Sequence, residues 1–274
     1  MVQDAGDSSD EFGVDTPSMA RMRDYWLGGS HHFAADRTLA SNMQSALPPV
    51  REIIWLSRSF LRRALRLLLQ NGIRQFLDLG SGLSTVDPVH VVTQRAHPEC
   101  RVVYVEKDPL TATHGRVVLE NNDQAAMIEG DPFDAEGVLG HALTKRLLDL
   151  DRPVGLLSVN SLHFVPDSAD PAGAISRYQT AVVSGSYLVL AHGMVERRTP
   201  AVEAVMAMLE QGGNPVYPRS RAEIVALFSG FDLVSPGVVE VGDWNPERPL
   251  HPNEREASRF IIVGVGRKPG PSPR

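Results

Sequence analysis

The chain has 274 residues, of which 42% are hydrophobic and 22% charged, the balance of a soluble globular protein with room for a substantial core. A formal net charge of −6 argues against a general phosphate-backbone binder, so no nucleic-acid partner is expected. The single cysteine, Cys100, excludes an internal disulfide and suits a reducing cytoplasm, and with no apolar run near ~18 residues and a polar, acidic start, neither a membrane span nor a secretory signal is expected.

Residues 1–15 carry Asp4, Asp7, Asp10, Glu11 and Asp15 without a lysine or arginine, the composition of a solvated, disordered tail. A helical cap follows over 16–72. Its first helix is expected from Pro17 to Leu27 and ends at Gly28-Gly29. A second opens at Ala34-Ala35-Asp36-Arg37 and is broken by Pro48-Pro49. Residues 51–70 form the clearest helix, with Ile53, Ile54, Phe60, Leu61, Ala64, Leu65 and Leu68 on one apolar face. Arg58, Arg62 and Arg66 line the other side and read as a solvated stripe, and Asn71-Gly72 supplies the stop.

From 73 to 267 strands and helices alternate. Strand candidates are 74–79, 101–106, 125–129, 153–160 and 185–191, with helices between them near 84–96, 109–120, 134–148 and 171–183. Two further helices are expected near 199–211 and 219–228. Two last strands lie near 231–241 and 259–266, joined by a non-helical stretch from Gly242 to Ala257. The pattern predicts an α/β fold: a Rossmann-like, seven-stranded, mostly parallel sheet with its last strand antiparallel, helices on both faces and an N-terminal helical lid. Residues 268–274 form a loose end.

The stretch Phe76-Leu77-Asp78-Leu79-Gly80-Ser81-Gly82 reads as a buried parallel strand running into a glycine turn, with a helical pattern from Ser84. Gly80 and Gly82 allow a tight turn that brings backbone N–H groups close to a ligand. The strand Val102-Val103-Tyr104-Val105 ends in Glu106, about 24 residues beyond Gly82, where an acid can accept both hydroxyls of a ribose. After the next strand, Asp131 is placed to accept from an adenine amino group and Phe133 to pack on the ring, with Lys107 and Pro132 beside them. The competing role for such acids is helix N-capping, since Asp108, Asp131 and Asp134 all precede helical patterns. A dinucleotide fingerprint needs a third glycine, which Gly80-Ser81-Gly82-Leu83-Ser84-Thr85 lacks, so a nicotinamide-dependent dehydrogenase is disfavoured. Asp78 is placed to face an ammonium group instead.

An Asp-x-Gly-x-Gly turn is similar to the cofactor loop of Rossmann-like methyltransferases. The blocks Arg23-Asp24-Tyr25-Trp26-Leu27-Gly28-Gly29, Phe33-Ala34-Ala35-Asp36-Arg37, Gln75 to Gly82, Leu162-His163-Phe164-Val165-Pro166-Asp167 and Gly185-Ser186-Tyr187-Leu188-Val189-Leu190 together resemble the actinobacterial-type S-adenosyl methyltransferase family. The resemblance runs from Pro17 to about Arg267. It implies bound S-adenosylmethionine, converted to S-adenosylhomocysteine, with Asp78, Gly80, Glu106 and Asp131 as cofactor contacts. Ser81, Gly82, Lys107, Pro132, Phe133, Asn160 and Tyr25 complete the expected cofactor site. His31-His32 stands where that family more often has a pair ending in Asn, and Glu106 where Asp is commoner.

Methyl transfer from a sulfonium is an in-line displacement that needs positioning, exclusion of water and a free lone pair on the acceptor. No metal is required, and adjacent His31 and His32 are a poor chelating pair. The fourth strand ends Ser158-Val159-Asn160-Ser161-Leu162-His163 and the fifth at Ala191-His192, so His163 is the candidate base with Asn160 and His192 behind it. The bland alternative for His163 is packing between Leu162 and Phe164. Tyr25, Trp26 and Phe33, with His31 and His32, can fold over the pocket as a lid, where aromatic faces attract a sulfonium; otherwise they anchor the N-terminal helices. The Trp244 loop is expected to border the same opening. The expected function is methyl transfer to a small-molecule acceptor, with a non-catalytic cofactor sensor as the alternative.

Overall fold

Apolar runs without polar alternation become the central strands of a single sheet. The computed structural model describes residues 13–80, 82, 86–194 and 198–270. The expected acidic tail therefore lies outside the described residues as far as residue 12, as do Ser81, the proposed helix start at Ser84, and residues 271–274 of the expected loose end. Strands β1 (Gln75–Leu79), β2 (Arg101–Glu106), β3 (Ala125–Glu129), β4 (Gly155–Val159) and β5 (Tyr187–Gly193) pair in parallel. The last long strand, β8 (Ile261–Arg267), runs antiparallel to β5 and also pairs with the short β6 (Asp232–Leu233) and β7 (Val239–Glu240). Among the described residues the order is β3-β2-β1-β4-β5-β8-β6 in an 8-stranded sheet.

The sheet therefore has eight strands rather than the expected seven, because 231–241 is not continuous. Pro236 and Gly237 divide it, and the Gly237 N–H turns back to the Val234 carbonyl at 2.8 Å. The stretch expected to be non-helical contains α11 (Pro252–Ser258), whose start is fixed by the His251 N–H donating to Glu254 Oε2 at 2.8 Å. Likewise 134–148 divides at His141 into α6 (Ala135–Gly140) and α7 (Ala142–Leu147), and α4 begins only at Val89 (Val89–Ala96). Helices α5 (Pro109–Val118), α8 (Pro171–Ala181), α9 (Pro200–Gln211) and α10 (Arg221–Ala226) complete the wrapping.

Side chains alternate along each strand and feed two apolar clusters. Phe76, Val102, Tyr104, Leu157 and Val189 meet the N-terminal helices on one face, while Leu77, Val103, Leu156 and Leu188 meet α6, α7, α8 and α10 on the other. Helices α1 (Met19–Leu27), α2 (Ala34–Ala46) and α3 (Val50–Gln70) belong to the first cluster through Met22, Trp26, Ala40, Phe60, Leu65 and Leu68, so the cap and the sheet share one core. No helix among the described residues is long and apolar enough to cross a membrane.

The arginine stripe of α3 is not uniformly solvated. Arg62 reaches Asp87 at 3.1 Å and Arg66 pairs with Glu247, both near the surface. Arg58 is buried and lines a small cavity with Val159, Asn160 and Gly82. The stripe runs along the helix, but Arg58, its first member, lies beside Val159 and Asn160 at the carboxyl end of β4, so one guanidinium is carried inside.

Candidate active site

The site is positioned by topology. From β1 the chain proceeds to β2 and β3 on one side and returns on the other at β4, so a crevice opens between β1 and β4 at their carboxyl ends. Gly80 leaves β1 at φ +80° with its N–H on the Val105 carbonyl (2.9 Å), and a Cβ there would stand 2.8 Å from Ser161 Cβ. Gly82, at φ +71°, lies so close to α1 that a Cβ would come within 3.0 Å of Ala20 Cβ. Both glycines are dictated by backbone conformation and by close approach of a neighbour. Asn160 closes β4 at φ +57°, its N–H on the Ala191 carbonyl at 3.0 Å.

The acids fall into two groups. Asp78 is buried on β1 opposite Tyr104 and Leu157. Glu106, also buried, ends β2; its Oε1 accepts the Asp108 N–H at 2.9 Å, and its Oε2 is buried with no hydrogen-bond partner among the described residues. Burial pushes the Glu106 carboxyl above the ordinary carboxylate range, against the Asp108 N–H and the Arg23 charge. Asp108 and Asp134 are the N-caps, accepting from Thr111 at 2.7 Å and Gly137 at 3.1 Å. Asp131 is exposed and accepts from the Phe133 N–H at 2.8 Å, closing its own turn. Lys107 is exposed, the Pro132 carbonyl accepts the Tyr178 hydroxyl at 2.7 Å, and the Phe133 ring is committed to the second apolar cluster rather than presented to a ligand.

One side chain in the crevice has no counterpart in the sequence reading. Arg23 projects from α1 and donates to the carbonyls of Gly80 (3.1 Å), Asn160 (3.2 Å) and Val159 (3.4 Å). Its Nε is buried without an acceptor among the described residues. Burial lowers its pKa, while Glu106 and Asp78 act the other way. Around it remains a cavity of about 30 Å³, lined in part by Arg58, Ser57, Val159 and Asn160. The only cue in the sequence is its place in the Arg23-to-Gly29 block, which says nothing of where a guanidinium points.

The lid is latched beside this crevice. Arg21 Nε donates to Asp36 Oδ2 and its Nη1 to Asp108 Oδ2, each at 2.8 Å, with Arg21 and Asp36 almost fully buried. Asp36 also accepts from the N–H groups of Ser18 (2.8 Å) and Phe33 (2.7 Å). A single buried carboxylate thus joins the start of α1 to the start of α2, and Arg21 ties both to the corner that holds Glu106. A second cavity, of about 370 Å³, lies under this latch between the α1–α2 turn and α5, bordered by Gly82, His31, Phe33, Thr111 and His114. The His31 and His114 rings meet there with centroids 3.5 Å apart and planes tilted by 43°, and His31 Nδ1 and Thr111 Oγ1 are buried without partners among the described residues. Burial, with His31 next, lowers the His114 pKa.

The expected lid residues divide accordingly. His31 and Phe33 border the cavity, and the Phe33 ring carries the Arg21 guanidinium at 5.4 Å. Tyr25 packs edge-on against His32 at 5.1 Å. His32 Nδ1 accepts from Arg37, which leaves its Nε2–H to donate to the Gly29 carbonyl. Trp26 does not face the crevice: it is 1% exposed inside the core, and its carbonyl receives Arg51 and Trp55. Nor does Trp244 border the opening. It too is 1% exposed, set edge-on to Phe60 at 5.2 Å with its carbonyl on Arg63, because α3 needs an aromatic behind it to close the core.

The two candidate histidines differ in availability. His192 is fully buried; a guanidinium can only donate, so Nε2 accepts from Arg219 at 2.9 Å and Nδ1–H donates to the Gly193 carbonyl at 2.7 Å. Burial lowers its pKa to about 4, and neither nitrogen is left for a ligand. Arg219 is itself fixed by Asp167 at 2.7 Å. His163, 5.5 Å from His192 between ring centroids, has a buried Nδ1 without a partner and a pKa well below the usual value, chiefly through burial. Asn160 Oδ1 is likewise buried and unpartnered.

A parallel sheet that reverses at a glycine turn, with carboxylates at the tips of β1 and β2 and an ordered lid above, defines a Rossmann-like protein built to bind an adenosyl ligand. A family model described as S-adenosyl methyltransferase matches residues 5–269, and the chain belongs to that family. Two solved structures are similar over almost the whole chain. A DUF574 family protein from Streptomyces avermitilis MA-4680 superposes with a TM-score of 0.88 at 32% identity, covering 94% of this chain and 100% of that one. A proposed methyltransferase from Thermobifida fusca YX gives 0.86 at 34% identity, covering 94% and 98%. An ornithine lipid N-methyltransferase from Singulisphaera acidiphila is 29% identical over 118 residues, a match that spans 43% of this chain and 55% of that protein.

Proposed function

We propose that the protein transfers a methyl group from S-adenosylmethionine to a small-molecule acceptor, with Glu106, Asp78, Gly80 and Asn160 as the core of the cofactor site. When bound, the cofactor supplies an electrophilic methyl group on a sulfonium. The residues present fit it. The carbonyls of Gly80, Val159 and Asn160 converge on one cationic group, now Arg23, and Asp78 and Glu106 add negative charge there. Glu106 Oε2 is buried on the second strand tip with no partner among the described residues, which suits an acceptor for ribose hydroxyls. That orphaned oxygen is the observation that carries the reading, because a buried polar atom without a partner is costly unless a ligand completes it.

The cavity under the α1–α2 turn is the acceptor's place. Its volume, about 370 Å³, is that of a small-molecule pocket, and it touches the glycine turn through Gly82. His114, kept from protonation by burial, can accept a hydrogen bond from an amine or hydroxyl. His163 stays neutral and is too weakly basic to take a proton efficiently near neutrality, so its part is to orient through an accepted hydrogen bond. Calorimetry with S-adenosylmethionine, S-adenosylhomocysteine and NAD tests the cofactor: binding of the first two alone is expected, and binding of none would refute the site. Methyl-labelled cofactor incubated with small-molecule and amino-lipid extracts, the latter suggested by the ornithine lipid enzyme, tests the acceptor. Tight cofactor binding without a labelled product from any extract would favour sensing over transfer.

A further inference from the structure

We propose that Arg23 holds the place of the cofactor's α-ammonium group and, on cofactor entry, swings aside to clamp the neighbouring carboxylate together with Arg58. The inference rests on the cofactor reading above and adds a role for two arginines that neither the family match nor the sequence motifs assign.

Three observations carry it. The guanidinium of Arg23 is poorly served where it stands. Its bonds to the Gly80, Asn160 and Val159 carbonyls are 3.1, 3.2 and 3.4 Å, long for a charge-assisted contact, and its Nε is buried with no acceptor among the described residues. Three carbonyls converging from the ends of two strands suit a compact ammonium, with its three donors, better than a planar fork. Second, Arg58 lines the same small cavity, where burial and the Arg23 charge act against its own charge and Asp78 acts for it. Two buried guanidiniums side by side repel, and a carboxylate between them would relieve both. Third, about 30 Å³ beside Arg23 is far too little for an amino-acid tail, so the guanidinium must leave the carbonyls before the tail can enter. The Arg21–Asp36–Asp108 latch fixes α1 two residues earlier, so the change falls on the Arg23 side chain rather than on the helix.

The exchange conserves hydrogen bonds: the carbonyls trade a guanidinium for an ammonium, and the guanidinium trades carbonyls for a carboxylate. It also gives the site a selectivity it would otherwise lack. Only a ligand with both ends of an amino-acid tail can dislodge Arg23 and reward it, so an adenosine thioether without the tail should be held weakly and should not depend on Arg23.

The test is calorimetry on the full chain with S-adenosylhomocysteine and with 5′-methylthioadenosine, which lacks the tail, for wild type, Arg23→Met, Arg23→Lys and Arg58→Met. Thermal melts establish that each variant is folded. Affinity for S-adenosylhomocysteine is expected to fall about tenfold or more in Arg23→Met and Arg58→Met, and to recover in part in Arg23→Lys. Affinity for 5′-methylthioadenosine should stay within about twofold throughout, which a merely structural role for Arg23 would not produce. If folded Arg23→Met binds S-adenosylhomocysteine as tightly as wild type, or more tightly, Arg23 is only a plug and the clamp is refuted. A parallel loss of both ligands also overturns it, as damage to the adenosine site. Wild type that binds neither ligand brings down the cofactor reading, and the clamp with it.

Discussion

Glu106→Gln should separate stability from binding. Glu106 Oε1 already receives the Asp108 N–H at 2.9 Å, and a glutamine amide oxygen can keep that bond. What the substitution removes is the negative charge and the free acceptor at Oε2, which is buried and unpartnered. A hydrogen bond to a charged group is worth roughly 1.5–3 kcal/mol, so cofactor affinity should fall about 10- to 150-fold. Stability should move the other way. Burial raises the Glu106 pKa, so folding disfavours its ionised form. A raised folded pKa contributes stability below the unfolded carboxylate pKa and loses it as pH rises through the folded value. Near neutral pH the ionised Glu106 is thus a burden that glutamine does not carry, and the melting temperature should hold or rise. Binding in wild type should weaken as pH falls through the raised Glu106 pKa, while the variant's affinity stays flat over that window. Titration calorimetry with S-adenosylhomocysteine across pH, beside thermal melts, reads all three quantities. Unchanged affinity in a folded Glu106→Gln protein would refute the ribose assignment, and a joint collapse of melting temperature and affinity would make Glu106 a structural residue.

Three further outcomes follow from named contacts. Asp36→Ala strands the buried Arg21 guanidinium and the N–H groups of Ser18 and Phe33, and should cost ~3–5 kcal/mol in urea unfolding; a loss under ~1 kcal/mol would mean the latch is not holding the lid. His192 should make the fold acid-sensitive: its pKa is lowered from 6.5 to about 4, so its contribution is present above 6.5 and lost as pH falls towards 4. The loss is on the order of 3 kcal/mol, and His192→Gln should flatten that part of the stability–pH curve measured by urea midpoint. Gly80→Ala must adopt φ +80° and place a Cβ 2.8 Å from Ser161 Cβ, so a cost of roughly 2–4 kcal/mol and loss of cofactor binding are expected in melts and calorimetry.

The sheet was legible because parallel strands covered on both faces are mostly apolar without regular polar alternation, as β1 to β5 are. Helix α3 was legible because its burial follows a period the sequence displays. The edge was not: β6 and β7 are two residues each, too short for any periodicity, and what makes them strands is the length of β8 beside them. Glu106 and the glycines could be found from spacing along the chain. Arg23 could not, because the carbonyls that enclose it come from positions 57 and 137 residues away, and a helical period separates faces without saying what covers them. The same gap misplaced Arg58, assigned to solvent by its stripe, and Trp244, assigned to the opening although it closes the core behind α3.

Arg23 and Arg58 bear on the charge balance of the crevice. Asp78 and Glu106 are buried acids at the tips of adjacent strands, and leaving both uncompensated would cost far more than the fold can spare. Arg23 and Arg58 bring two positive charges to the same place, at the price of guanidiniums that burial discourages from being charged. The charges therefore balance, yet among the described residues Glu106 keeps an idle oxygen and Arg23 an idle nitrogen. On the proposed reading, the hydroxyls and carboxylate of the ligand would complete the Glu106 oxygen and the Arg23 guanidinium. Binding energy would then come less from new apolar contact than from relieving polar groups the folded chain already holds out of water, so affinity should depend on pH and on single charges more steeply than the size of the ligand suggests.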